Sequence, residues 1–98
     1  MDLKRNIFDN IKECEIKIGY REEDMNLYYP KESLQELLLA AEEDLSQVIE
    51  AFCKSAEQEL GGLTIKETEE KGRYCIRVPS EGVKYVHENV NDSPFLKA

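Results

Sequence analysis

The sequence is poor in the residues that build metal and disulfide sites. Its 98 residues include one histidine and three cysteines. The cysteines, Cys14, Cys53 and Cys75, form no CxxC pair, whereas structural zinc sites present their ligands as close pairs. An odd number of dispersed cysteines is also typical of reduced thiols, which favours a cytoplasmic protein. We therefore predict no metal and no cofactor.

Long apolar runs and an excess of basic charge are also missing. No apolar stretch approaches the roughly 20 residues of a membrane-spanning helix, and the start MDLKRNIFDNIKE lacks the apolar segment of a signal peptide. The chain carries 13 basic and 21 acidic residues, a formal net charge of -8. Nucleic-acid binders gain affinity by neutralising phosphates, and anionic membranes attract cations, so this charge disfavours both as partners.

The sequence contains no pattern that predicts catalysis. A nucleophilic cysteine needs a nearby base, and His87 is the one histidine that could serve Cys75. A half-buried thiol and a surface imidazole account for both residues without chemistry. The glycines form no phosphate-binding loop, and the acidic runs at 21–24 and 42–44 lack the alternating oxygen ligands of a calcium loop. We expect that the protein is not an enzyme.

What the sequence does contain is clear apolar periodicity, which begins with a helix at residues 3–18. Its apolar face repeats at intervals of four, three and four through Ile7, Ile11, Cys14 and Ile18, with Phe8 beside it. Gly19 is a typical helix terminator, and Asp2 is a plausible cap at the other end. Four isoleucine and phenylalanine side chains exceed what a small three-helix core requires, so we interpret part of this face as a contact surface.

Residues 20–62 predict a short strand and further helices. MNLYYP favours a short edge strand at 26–29, with one of its two tyrosines packed inward and the other exposed. A helix then begins near Pro30, where Ser33 and Glu36 match a capping box. The apolar stripe continues to Leu60, before the glycine pair at 61–62. Its unbroken phase favours one helix over 31–60, whereas the acidic run at 42–44 and a cap at Asp44 favour two, and both readings stay open.

A hairpin and a closing helix follow. Leu63 and Ile65 alternate with polar residues, and the alternation returns at Tyr74, Ile76 and Val78, which predicts two paired strands joined through ETEEKG. In RYCIRVPSEGVKYVHE, residues 73–88, the strand period changes to a helical one after VPSEG. The final helix is predicted from about Ser80, as its cap, to Asn89. The last residues, 91–98, are interpreted as a C-terminal tail.

Two resemblances follow from these segments. The order helix, short strand, helix, helix, hairpin, helix resembles a winged-helix domain, most closely at the hairpin-to-helix joint CIRVPSEGVKYV. This implies an α+β domain over residues 1–90, with three to four helices, a hairpin in the C-terminal half and a short edge strand. The segment IGYREEDMNLYYPKESL also resembles a small family of uncharacterised bacterial proteins, which implies no activity.

We therefore expect a non-catalytic, cytoplasmic protein-interaction domain with an unknown protein partner, or a homodimer. The expected contact residues are Ile7, Phe8, Ile11, Tyr28 and Tyr29, because tyrosines bury area while keeping a polar tip and the first helix carries a surplus of apolar side chains. The alternative is a DNA-binding transcriptional regulator that uses Lys66, Lys71, Arg73 and Arg77 of the hairpin against phosphate. Interspersed glutamates at 67, 69 and 70 weaken that alternative.

Overall fold

The computed structural model describes residues 2–90, except for the side chain of Asp2, and the predicted tail lies outside this range. The elements are α1 (Asp2–Ile18), β1 (Met25–Pro30), α2 (Lys31–Leu38), a 3-10 turn (Glu42–Asp44), α3 (Leu45–Ser55), α4 (Glu57–Leu60), β2 (Thr64–Glu67), β3 (Arg73–Val78) and α5 (Ser80–Asn89). The predicted α+β class, hairpin and edge strand are confirmed. None of the described helices is long and apolar enough to cross a membrane.

The three strands form one antiparallel sheet in the order β1-β3-β2, so β3 is central. Tyr28 lies opposite Cys75, and Lys66 lies opposite Cys75 from the other side. Because side chains alternate along a strand, Tyr28, Lys66 and Cys75 share one face of the sheet. The opposite face carries Tyr29 and Ile76 and packs on the helices. We call the face with Tyr28 the outer face and the face with Tyr29 the inner face.

The core lies between the inner face of the sheet and the helices. Tyr29 is 6% exposed and Tyr28 is 53% exposed, which confirms that the two tyrosines alternate along an edge strand. Tyr29 reaches α1, where its hydroxyl bonds to Asn6 and Asn10. The largest fully buried side chains come from α1, α2, α4, β3 and α5: Leu3, Ile7, Ile11, Leu34, Leu60, Ile76, Val78 and Val86.

Residues 31–60 do not form one helix. The chain leaves α2 through Leu39, which has φ 54° and ψ 45°. The amides of Leu39 and Ala40 donate to the carbonyls of Glu36 and Gln35, which is the hydrogen-bond pattern of a Schellman motif with leucine in place of glycine. A second, smaller interruption at Ala56 separates α3 from α4. The apolar phase continues across both breaks, which explains why periodicity alone favoured a single helix.

The predicted side-chain N-caps of α2, α3 and α5 are wrong, although these helices start close to the predicted positions. No side chain caps α2, α3 or α5 through a hydrogen bond at its N-cap position, so the box of Ser33 with Glu36, the Asp44 cap and the Ser80 cap are not formed. Instead, a distant carboxylate caps α5: Asp24 Oδ1 accepts the backbone amide of Ser80 at 2.8 Å. Local motifs are the weaker signal here because tertiary partners reach the same amides.

Candidate functional site

A groove of about 490 Å³ runs between the C-terminal half of α1 and the strand β1. The two walls face each other because Tyr29, further along β1, holds the strand to α1 through Asn10. The groove is lined by Asn10, Glu13, Cys14, Lys17 and Ile18 from α1 and by Asn26, Leu27 and Tyr28 from β1. Two of the most exposed large apolar side chains of the described chain, Ile18 at 60% and Tyr28 at 53%, are among them. The groove thus brings two exposed apolar side chains together on one surface.

The edge of β1 that borders the groove is unpaired within residues 2–90. Lys31 donates its amide to the carbonyl of Gly72, just beyond the last paired residues, Pro30 and Arg73. Because bonded pairs alternate along an antiparallel ladder, the amides of Tyr29 and Leu27 also point to β3. The amides and carbonyls of Asn26 and Tyr28 therefore point away from β3. Pro30 also lies at an outward-pointing position, where a strand tolerates a proline because no amide is needed for the ladder.

The charged groups of the groove balance. Glu13 and Lys17, on the same helix face, form an ion pair of 3.0 Å. The remaining lining residues are uncharged. On a chain with a formal net charge of -8, this is a neutral and partly apolar strip, so a second surface can approach it without meeting an excess of negative charge.

The structure divides the five predicted contact residues. Ile7, Phe8 and Ile11 are 0%, 8% and 1% exposed, so they are core residues and the surplus that we expected on α1 is corrected. The physical reason is that α1 packs against both α2 and α5 and also meets the buried Tyr29 of the sheet, which requires a wider apolar face than a three-helix core. Tyr29 is buried as well, whereas Tyr28 lies in the groove.

Sequence reasoning missed the groove itself. Cys14, which the apolar periodicity assigned to the core, is half-buried and lines the groove together with the half-buried Leu27. The available signal was the edge-strand prediction, because an edge strand presents unpaired backbone groups. Leu39 was missed for a different reason: its side chain is 89% exposed at the end of α2, in a position where helical phase predicts nothing.

The basic residues of the hairpin come partly together. Lys66, Arg73 and Arg77 share the outer face of the sheet, while Lys71 lies in the turn between β2 and β3. Two of these cations already have partners. Arg77 binds Asp24 at 2.8 Å and Asn26 at 3.3 Å. Arg73 lies 4.6 Å over the ring of Tyr28 and 3.5 Å from Glu70.

The exposed acidic residues on and just before α3 also bear on phosphate binding. The helix presents Gln47, Glu50 and Lys54 to solvent, and Glu43 and Asp44 are exposed just before it. Lys54 lies 3.7 Å from Glu50. Phosphate approaching this helix would thus meet more negative than positive charge.

Cys75 and His87 are not brought together. Cys75 lies on the outer face of the sheet, between Tyr28 and Lys66. His87 lies on α5, where its Nδ1 is 2.5 Å from Glu15 Oε1 and its ring stacks on Tyr20 at 3.8 Å. No group of three or more metal-ligating side chains is found among residues 2–90.

The buried amine of Lys12 contacts both His87 and Glu15. Lys12 is 6% exposed, and its Nζ donates to the carbonyl of His87 at 3.4 Å and lies 3.5 Å from Glu15.

The thiol of Cys53 is half-buried. Burial raises the pKa of Cys53, and a hydrogen bond with the backbone of Ile65 opposes this shift only in part. Low thiolate content makes Cys53 a poor nucleophile.

The family comparison agrees with one of the two resemblances. A family model described as "Domain of unknown function, E. rectale Gene description (DUF3877)" matches residues 1–98, so the chain belongs to this family. No curated protein and no solved structure matches the chain. The resemblance to a small bacterial family is thereby confirmed, and the family description gives no activity.

Proposed function

We propose that the chain is a non-catalytic, cytoplasmic protein-interaction domain, in which residues 1–90 form a winged-helix-like unit. The order α1, β1, α2, α3, hairpin, α5 supports the winged-helix likeness. The observation that carries the interaction role is the free edge of β1 beside the groove. An extended segment of a partner can add to such an edge as a further strand, with main-chain bonds supplying affinity and the groove receiving its side chains.

Three features of the groove fit this mode of binding. Asn26 and Tyr28 each offer an outward amide and carbonyl, which is the periodicity that an added strand needs. Ile18 and Tyr28 provide apolar area that water currently covers. The tyrosine is half-exposed even though Arg73 lies over its ring, so it still offers apolar area beside a polar tip, as interface tyrosines do.

Site-specific photo-crosslinking tests the proposal. A photoreactive phenylalanine replaces Tyr28, and in a matched control it replaces Glu50, whose side chain is 73% exposed on α3. The labelled proteins are expressed in the native cells, irradiated and treated with nuclease. We expect a protein crosslink from position 28 and none from position 50. No crosslink at 28, or equal crosslinking from both positions, would contradict the proposal.

The sharing of one sheet face by Lys66, Arg73 and Arg77 favours a second candidate function, phosphate contact by a DNA-binding regulator. Two observations oppose this second function: the net charge of -8, and the ion pair between Arg77 and Asp24. Duplex DNA binding at low salt separates the candidates. The regulator requires binding that falls steeply with salt and disappears when Lys66, Lys71, Arg73 and Arg77 are changed to glutamine. The interaction domain requires no duplex binding even at low salt.

A further inference from the structure

We infer that Leu39 and the acidic residues around it form a second interaction surface, which binds a protein that presents an apolar pocket bordered by lysine or arginine side chains. Leu39 lies at the end of α2, and no residue of 36–44 lines the groove between α1 and β1. This surface is therefore additional to the groove and does not depend on the function proposed for it.

Leu39 is the most exposed large apolar side chain of the described residues. It is 89% exposed, compared with 60% for Ile18. It is also the one residue other than glycine within 2–90 that has a positive φ. A residue with a Cβ atom is strained in this conformation, whereas glycine, the usual residue at such a helix end, is not. Within the single chain, leucine at this position thus lowers stability and recovers almost none of the loss by burial.

A strained residue that the fold does not need points to a contact with another molecule. Leu39 is free to make that contact, because Ala40 beside it is half-buried and Ala41 is small and exposed. The leucine side chain therefore projects from the end of α2 on its own. A pocket that removes it from water gains the hydrophobic stabilisation that the single chain lacks.

The charge beside Leu39 is negative. Residues 32–53 contain no lysine or arginine. They contain six acidic residues, all of them exposed: Glu32, Glu36, Glu42, Glu43, Asp44 and Glu50. Only Glu42 and Glu50 lie in ion pairs within residues 2–90. Lysine or arginine side chains around a partner pocket complement this charge, and their attraction also steers the encounter.

The same charge disfavours the other surfaces that could meet a leucine side chain. An anionic membrane could take up the leucine, but it would repel the carboxylates around it. Nucleic acid would repel them as well. A second copy presents the same negative charge at this turn. A protein with a cation-bordered apolar pocket satisfies both the leucine and the carboxylates.

Photo-crosslinking locates the contact. An aliphatic amino acid with a diazirine group replaces Leu39 in the full chain, and in a matched control it replaces Ile16, which is 49% exposed within α1. Both proteins are expressed in the native cells and irradiated, and the crosslinked peptides are sequenced by mass spectrometry. We expect position 39, and not position 16, to crosslink a protein at an apolar site bordered by lysine or arginine.

Affinity for the captured protein, after its purification, tests the leucine and the charge separately. Leu39→Gly removes the side chain and relieves the backbone strain, so the variant stays folded, and we expect at least about tenfold weaker binding. We expect the pair Glu43→Gln and Asp44→Asn to weaken binding about threefold at low salt. The control pair Glu69→Gln and Glu88→Gln removes the same charge from exposed positions elsewhere and should leave the affinity unchanged.

Four results would overturn this second surface. They are no crosslink at position 39, equal crosslinking from positions 39 and 16, equal affinity of the wild type and Leu39→Gly, and an affinity that rises with added salt. Equal effects of the two charge-removing pairs would overturn the cation-bordered pocket. The groove has its own readout in the label at position 28, so loss of the contact at Leu39 leaves the proposed function intact, and failure at position 28 leaves this surface intact.

Discussion

The buried hydroxyl of Tyr29 accepts a hydrogen bond of 2.7 Å from the side-chain amide of Asn10, joining the strand and the helix that form the groove. The same hydroxyl donates to Asn6 at 2.7 Å. These two bonds fix the separation of α1 and β1 at one end of the groove. A property of the core therefore sets the geometry of the proposed contact surface.

Removal of this hydroxyl should destabilise the fold. Tyr29→Phe loses two hydrogen bonds in a buried position, and we expect the free energy of unfolding to fall by about 1 to 2 kcal/mol. Chemical denaturation measures the change. Tyr28→Phe is the matched control, since the side chain of Tyr28 is half-exposed and its hydroxyl has no hydrogen bond within the described residues. Equal effects of the two substitutions would contradict the role of the Tyr29 hydroxyl.

The same residue predicts a loss of stability in alkali. Burial raises the pKa of Tyr29 above its usual 10.0, although the bond from Asn10 opposes the shift. The folded state therefore holds the proton more tightly than the unfolded state, and this contribution to stability is present below pH 10 and lost as pH rises through the folded pKa. We expect the stability difference between wild type and Tyr29→Phe to shrink over that range. A difference that grows with pH would contradict the assignment.

Gly82 should not tolerate a side chain. Alanine normally stabilises a helix relative to glycine by about 1 kcal/mol. At Gly82, however, a Cβ atom would lie 2.4 Å from the carbonyl oxygen of Leu60, where α5 crosses α4. We expect Gly82→Ala to reduce the free energy of unfolding by about 2 kcal/mol or more. Gly62→Ala, which meets nothing within 4 Å, is the control and should be close to neutral. A stabilised Gly82→Ala would show that the helices do not approach so closely.

Replacement of Leu39 by glycine should stabilise the folded protein. Its left-handed conformation costs a residue with a Cβ atom about 1 to 2 kcal/mol, and its exposed side chain recovers little of this by burial. After the entropy cost of glycine, we expect Leu39→Gly to be more stable by about 0.5 to 1 kcal/mol. Leu39→Ala keeps the Cβ atom and should show no such gain. Thermal denaturation of both variants measures the difference, and equal stabilities would contradict the strain.

Structural features that depend on burial were predictable from the sequence, whereas features that depend on contacts between distant segments were not. Alternation and helical phase depend on burial, so they located α1, the hairpin and α5, and they separated Tyr28 from Tyr29. The break at Leu39 was not predictable in this way, because the apolar phase continues across it and the Schellman motif lacks its usual glycine. The capping of α5 by Asp24 depends on a contact between distant segments, which no local motif records.

The candidate site shows the same division. The edge-strand prediction identified β1 and Tyr28, and both lie in the groove. The contact role assigned to Ile7, Phe8 and Ile11 overlooked that α1 packs against both α2 and α5, so these side chains were counted as surplus when the core needs them. Whether an apolar side chain is buried within one chain or between two depends on the packing of elements, and periodicity alone does not distinguish these cases.

The central claim is that the outward edge of β1 is open in the single chain and becomes hydrogen-bonded in the complex. Backbone amide exchange, followed residue by residue in the free chain and in the complex with the partner captured at position 28, tests it most directly. We expect the amides of Asn26 and Tyr28 to exchange rapidly in the free chain and to become protected in the complex, while that of Leu27 stays protected by β3 in both. Asn26 and Tyr28 amides that are protected in the free chain would contradict the claim, as would amides that stay unprotected in the complex.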